Sequence, residues 1–189
     1  MRFFIRMSLL GMLAVLALSG CDGHKKLPEA VAQSNLYQHI DWGMLTPPNW
    51  DAMLLLKGLN LEKMQDSDPR AAQAMKKIRE QWQTAPVVAN MDGKHVTITG
   101  YVAPLDSDLE HVREFLLVPY FGACIHTPPP PSNQIVHVHI SGPPISLLGW
   151  DANVTVSGVI ETIPSVTEVG TSGYGMTADL VAPFKNEFE

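Results

Sequence analysis

Cysteine is nearly absent from this chain, which has two among its 189 residues. The two do not form a Cys-x-x-Cys motif, so the sequence excludes ordinary dithiol exchange. An excess of positive charge is also missing, because 13 lysine and arginine residues stand against 19 aspartate and glutamate residues. Nucleic-acid-binding proteins usually present a basic stripe to the phosphates. We therefore expect no nucleic-acid partner.

The first twenty residues have the layout of a secretory signal peptide. Arg2 and Arg6 give a basic start, an apolar run follows over residues 7–18, and small residues precede Cys21. This run is too short for a membrane-spanning helix, and no later run is long or apolar enough. Residues 18–21, Leu-Ser-Gly-Cys, resemble the lipobox of bacterial lipoproteins, in which the cysteine becomes the first mature residue. We therefore predict that Cys21 carries acyl chains, such as palmitate, as the membrane anchor.

Such a lipoprotein faces the periplasm from the inner or the outer membrane. By analogy with enterobacterial sorting, Asp22 after the lipidated cysteine favours the inner membrane, although other bacteria use other rules. Removal of Arg2 and Arg6 with the signal changes the formal net charge from −6 to −8. The mature chain suits one domain with an appendage.

The chain divides into four segments by composition and periodicity. Residues 1–20 are the signal peptide, and residues 21–34 are a polar tether between lipid and fold. We predict that residues 35–90 form a mainly helical segment. Residues 91–184 are predicted to form a β-barrel domain that carries a Cys-His-proline loop.

A helix is predicted to start at Pro69 and to end before Pro86, since proline suits the first helical position and cannot continue a helix. Apolar residues recur at three- and four-residue steps between these prolines. They are Ala72, Met75, Ile78 and Trp82. We expect this stripe to be the packing face of the helix.

Apolar and polar residues alternate over residues 96–102 and again over 153–163, which is typical of strands with one buried face. Three more strands are expected at residues 113–120, 135–140 and 175–181. Gly100 and Gly158 lie inside two of the strands, where glycine permits sharp bending. The pattern favours an α+β fold, in which the N-terminal helical segment packs on a small five-stranded oligonucleotide-binding-like β-barrel. A fold of this kind does not fix a ligand.

With Cys21 lipidated, Cys124 is the one remaining thiol, and in an oxidising compartment it must be buried, metal-bound or reactive. Cys124 and His126 stand two residues apart, so in an extended segment their side chains leave the same face. His137 and His139 have the same spacing on the following segment. If the two segments pair, one cysteine and up to three histidines meet. This set suits Zn²⁺, and ligand softness also allows copper.

Two other fates of Cys124 stay open. Cysteine often packs as a small hydrophobic residue, and His137 and His139 would then be the solvent-facing half of an alternating strand. Alternatively, His126 lowers the pKa of the thiol for catalysis, but no oxyanion loop or orienting third residue can be named. The leading hypothesis is therefore a non-enzymatic zinc site, with a metal-free structural cysteine or a thiol enzyme as alternatives.

Four consecutive prolines follow the Cys-His pair and predict a rigid polyproline helix. This rod either fixes the loop or, beside Tyr120 and Phe121, offers a surface to a partner protein. The metal-free alternative function is a protein-interaction module that uses this surface. Its residues are Tyr120, Phe121, Pro128, Pro129, Pro130 and Pro131.

Residues 120–134 read YFGACIHTPPPPSNQ. This segment, together with residues 100–106 and 114–119, resembles an uncharacterised family of proteobacterial periplasmic lipoproteins, a domain of unknown function with a YFGACIHxPPPPxNQ signature. Members are often encoded beside a MacB-type ABC transporter and a periplasmic metal-binding protein, in clusters linked to zinc limitation. The resemblance implies an accessory role in zinc handling or in assembly of that transporter. Either the transporter subunit or the metal-binding protein would be the partner.

Overall fold

The computed structural model describes residues 36–51, 54, 69–105, 108–124, 129–148 and 153–184. The predicted signal peptide, the tether and Cys21 lie outside these ranges, as do His126 and Pro128. Among the helices that fall within the ranges, none has the length and hydropathy needed to span a bilayer.

The described ranges contain eight β-strands and one α-helix. The strands are β1 (Gln38–His39), β2 (Lys94–Pro104), β3 (Glu114–Val118), β4 (Val136–Ile140), β5 (Asn153–Glu161), β6 (Ser165–Val166), β7 (Thr171–Ser172) and β8 (Tyr174–Pro183). The helix α1 spans Pro69–Gln83, and short 3-10 helices span Trp42–Leu45, Ala89–Met91 and Ser132–Gln134. The structure is thus mostly β, and the α+β prediction is confirmed only in part.

Five of the strands close into a barrel. Their order is β2-β3-β4-β8-β5, and β5 returns to β2 through eight paired residues. All neighbours in this ring run antiparallel except β4 and β8, which are parallel. Strand β1 adds to β2 in parallel, outside the ring. The predicted five-stranded barrel is therefore confirmed, with one extra strand.

The barrel interior is filled by one face of each strand, as the alternating sequence predicts. Val96 and Ile98 of β2 are fully buried, as are Val154 and Val156 of β5. At Gly158, where the β5–β8 register shifts, an added Cβ would overlap the carbonyl oxygen of Thr177. This glycine therefore permits a close approach between the two strands.

Helix α1 packs with a different face from the predicted one. Ala74 and Ile78 are buried and Trp82 is half-buried, whereas Ala72 and Met75 are exposed. The packing face follows four-residue steps along the helix, so Ala72 and Met75 fall on its flanks. The predicted stripe was correct at Ile78 and Trp82 and wrong at the other two positions.

The segment before the barrel is tied to it by buried polar groups. The hydroxyl of Tyr174 donates to the carbonyl oxygen of Leu45 at 2.8 Å and accepts from the backbone N–H of Val88 at 2.6 Å. The side-chain amide of Asn133 donates to the carbonyl oxygen of Pro86 at 2.9 Å. These contacts hold the loop after the prolines, β8 and the N-terminal segment together.

Candidate metal centre

Strands β3 and β4 carry a polar group on the outer face of the barrel. They pair antiparallel, with Glu114 opposite His139 and Leu116 opposite His137. Because side chains alternate along a strand, the residues between them, such as Val138, fill the barrel interior. The pairing therefore brings one carboxylate and two imidazoles to one place outside the barrel.

The three polar side chains converge closely. Oε2 of Glu114 lies 3.4 Å from Nε2 of His137 and 3.2 Å from Nδ1 of His139. The two imidazole ring centroids are 4.2 Å apart. One potential ligand atom from each residue lies within 4.8 Å of the others. This Glu-His-His group is close enough together to hold a metal ion.

His137 is the buried member of the group, with 8% of its surface exposed. Its Nδ1 lies 3.0 Å from the hydroxyl of Ser165 on β6. Its Nε2 is buried without a well-formed hydrogen bond to any part of the chain that the structure describes. Buried side-chain nitrogens normally have such a bond. The unsatisfied Nε2, 3.4 Å from Oε2 of Glu114, therefore has the environment of a ligand atom.

The electrostatic environment also suits ligation. Burial lowers the pKa of His137, and the neighbouring His139 lowers it further, against the opposing effect of Glu114. The neutral imidazole, which is the form that binds metals, is therefore favoured at neutral pH. Ligating histidines commonly bond their second ring nitrogen to a polar group that fixes the ring. The Ser165 hydroxyl occupies that position beside His137.

Two histidines and one carboxylate leave a fourth coordination position free in a tetrahedral site. Beside the group lies a cavity of about 570 Å³, and Glu114 and His139 form part of its wall. Zn²⁺ accepts this ligand set, and Fe²⁺ accepts it in octahedral sites. The arrangement can therefore bind a divalent ion and leave it accessible from the cavity.

The chain matches, over residues 42–183, the family described as "Protein of unknown function (DUF3299)". This protein belongs to the DUF3299 family. It is similar to a crystal structure of a DUF3299 family protein from Pseudomonas aeruginosa PAO1, with 31% sequence identity and a TM-score of 0.61. The similarity covers 80% of this chain and 98% of that one. Comparison with curated proteins found no match.

In this DUF3299 protein, Cys124 lies apart from the Glu-His-His group. It packs against a small apolar cluster that contains Ala103, Leu116 and Ile135. Burial raises the pKa of its thiol to about 11. Among the described residues, the metal-capable group does not include Cys124. Within the described ranges, the predicted meeting of this thiol with His137 and His139 is thus not found, and the thiol packs on the apolar cluster instead.

The Cys124–His126 pair itself stays a prediction, since His126 lies outside the described ranges. The backbone of Cys124 has a φ of 66°, a left-handed conformation that is uncommon for residues other than glycine. Gly170 packs directly over the thiol, and a Cβ added there would lie 3.4 Å from Sγ. The sulfur is therefore half-buried among backbone and apolar atoms in this DUF3299 protein.

The predicted partner surface is narrower than the sequence indicates. Phe121 and Tyr120 are 68% and 44% exposed, and Pro129 is exposed as well. Pro130 and Pro131 are buried, because the chain turns there into the 3-10 helix that bonds to the N-terminal segment. Of the surface residues that the structure describes, only Tyr120, Phe121 and Pro129 are thus accessible to a partner.

Sequence reasoning found His137 and His139 but missed Glu114 and Ser165. Glu114 opens β3, and only the register of the β3–β4 pair shows that it faces His139. Ser165 comes from β6, which pairs with β7 in a separate hairpin. Alternation along β3 and β4 could not by itself place Glu114 beside the histidines, because it does not fix the register of the two strands.

Proposed function

We propose that this DUF3299 protein is a membrane-anchored periplasmic lipoprotein that binds Zn²⁺ at Glu114, His137 and His139. It would serve as an accessory factor of an ABC transport system that handles divalent metals. The observation that carries the proposal is the buried, unsatisfied Nε2 of His137, which lies 3.4 Å from Oε2 of Glu114. The same ring is fixed on its other side, where Nδ1 contacts the hydroxyl of Ser165.

The anchor and the partner are supported by sequence features. The lipobox at residues 18–21 supports attachment through acyl chains on Cys21. The resemblance to lipoproteins encoded beside a transporter and a metal-binding protein supports a transporter subunit or that protein as the partner. The ring order of the barrel supports the oligonucleotide-binding-type architecture. The proposed function of this barrel does not involve a nucleic acid.

Zinc is the preferred ion on chemical grounds. Two imidazoles and a carboxylate, with a fourth position free, form a well-known zinc ligand set. Zinc has no redox chemistry, so such a site would stay intact in an oxidising compartment. A site built on Cys124 instead would first need removal of a proton from a thiol whose pKa is about 11, because only the thiolate ligates.

Zinc content and zinc affinity test the proposal. The full chain is purified without chelator for elemental analysis, then stripped and titrated with Zn²⁺ by calorimetry. We expect about one ion per chain. His137→Gln and Glu114→Gln should each weaken zinc binding at least tenfold, because each removes a ligand. His39→Gln, at an exposed position on β1, is the matched control and should bind zinc as the wild type does.

Unchanged zinc affinity in both ligand variants would reject the proposed site. Loss of zinc in Cys124→Ser, with full binding in His137→Gln, would instead return the site to the cysteine loop.

A second function is favoured by the exposed aromatic pair, Tyr120 and Phe121. Large neighbouring apolar side chains at a surface often mark a protein interface. In this alternative the protein docks on a transporter subunit through that surface without any metal. Crosslinking in intact membranes would distinguish the two: a partner lost in Tyr120→Ser and Phe121→Ser but kept in His137→Gln favours the interaction module.

A further inference from the structure

The cavity beside the Glu-His-His group has a mixed wall. Its volume of about 570 Å³ lies in the range of small-molecule sites. The polar lining residues are Asp108, His111, Arg113, Glu114 and His139. The apolar lining residues are Pro104, Leu105, Val112 and Ile140. A ligand that fits this wall has a charged or polar end and a hydrocarbon part.

The charged groups of the cavity are not equally available. Asp108 and His111 bond to each other, with Oδ2 and Nδ1 3.1 Å apart. Arg113 is exposed, and no ion pair of its side chain is found within the described ranges. A guanidinium presents a planar fork of donors that matches a carboxylate. Arg113 is therefore the cation in this wall that is available to an anionic ligand.

The net charge of the cavity wall changes sign when a metal ion binds. With neutral imidazoles, two carboxylates and one guanidinium give the wall a formal charge of −1, which repels anions. A divalent ion bound at Glu114, His137 and His139 reverses this to +1. The ion also offers its free coordination position to an oxygen ligand. Anion binding should therefore require the metal.

We propose that the metal-loaded cavity binds a small organic carboxylate. One carboxylate oxygen would complete the coordination of the ion, Arg113 would pair with the same group, and the apolar wall would hold the hydrocarbon part. The apolar wall distinguishes this ligand from inorganic phosphate, which has no hydrocarbon to bury. This inference rests on the proposed function, because it needs zinc at the site.

The test uses the full chain loaded with Zn²⁺ and 4-methylpentanoate as the probe, with binding measured by calorimetry. The primary amide of this acid, 4-methylpentanamide, is the matched neutral control. We expect the acid to bind at least tenfold more tightly than the amide, and only when zinc is present. Arg113→Gln should weaken binding of the acid at least tenfold while leaving zinc affinity within twofold. Arg79→Gln, at an exposed position on α1, should change neither.

A second comparison identifies the source of the carboxylate. A tripeptide that ends in leucine is titrated with a free and with an amidated C-terminus. Tighter binding of the free tripeptide than of 4-methylpentanoate assigns the cavity to peptide C-termini. The reverse order assigns it to free acids.

Three outcomes would overturn the inference: equal binding of acid and amide, binding of the acid without zinc, or full binding of the acid by Arg113→Gln. Zinc binding without any carboxylate binding would overturn this inference alone. Absence of zinc binding would overturn the proposed function with it.

Discussion

Cys124 shows how a residue's surroundings decide its chemistry. Burial raises the pKa of its thiol to about 11, so about one thiol in 3,000 is ionised at pH 7.5. We expect iodoacetamide to label Cys124 at least 100-fold more slowly in the folded protein than in urea at that pH, with the rate rising up to about pH 11. The labelling rate of Cys124→Ser gives the background from all other groups. A labelling rate that titrates well below pH 8.5, the ordinary value for cysteine, would instead support the thiol-enzyme alternative.

His137 should make the metal-free protein sensitive to acid. Burial and His139 lower its pKa below the ordinary value of 6.5, so the unfolded chain binds the proton more readily than the folded one. The stability contribution is therefore complete above about pH 6.5 and is lost as the pH falls toward the lowered pKa.

We expect the free energy of unfolding, measured in urea with chelator present, to fall between pH 7.5 and pH 5. His137→Gln should reduce this fall, whereas His39→Gln should leave it as in the wild type. An identical pH dependence in His137→Gln would show that burial of this imidazole has no such consequence.

At the scale of elements, Gly158 permits a close approach between β5 and β8. An added Cβ would overlap the Thr177 carbonyl oxygen and lie 2.8 Å from Cα of Ala178. We expect Gly158→Ala to destabilise the protein by about 1–3 kcal/mol in urea unfolding, because backbone atoms must shift. Gly142→Ala is the control, since a Cβ there meets nothing within 4 Å. Equal stability of the two variants would contradict the close approach.

The strands could be predicted because alternation is a local property. Residues 96–102 and 153–163 each read as one-sided strands, and β2 and β5 cover them closely. The register of β3 against β4 could not be predicted, since it depends on how the connecting chain turns. That register decides whether Glu114 or another residue faces His139. The histidine pair was therefore accessible from the sequence and its carboxylate partner was not.

For Cys124, the sequence left a metal site and apolar packing open, and the structure shows apolar packing. Two-residue spacing indicates that two side chains share a face only while the segment stays extended. The backbone of Cys124 is left-handed, with φ 66°, so the chain is not extended at this residue. The thiol packs on the apolar cluster. A positive φ at a residue other than glycine has no signal in the sequence.

For the whole molecule, zinc binding and folding should be linked. An ion that binds the folded state alone raises the free energy of unfolding by about 2.7 kcal/mol at a free concentration of 100 times Kd. We expect urea unfolding to show a gain of this size on addition of Zn²⁺, reversed by chelator. Glu114→Gln, with zinc affinity at least tenfold weaker, should lose about half of the gain or more at the same concentration, and His39→Gln should keep it. A full gain in Glu114→Gln would mean that the ion binds elsewhere.

The ring order has a consequence for the way the chain is made. Strand β8, the last of the barrel strands to leave the ribosome, lies between β4 and β5 and joins them. A nascent polypeptide that ends before Tyr174 lacks the strand that bridges β4 and β5, so the ring is still open. The barrel therefore closes only after its C-terminal strand has left the ribosome.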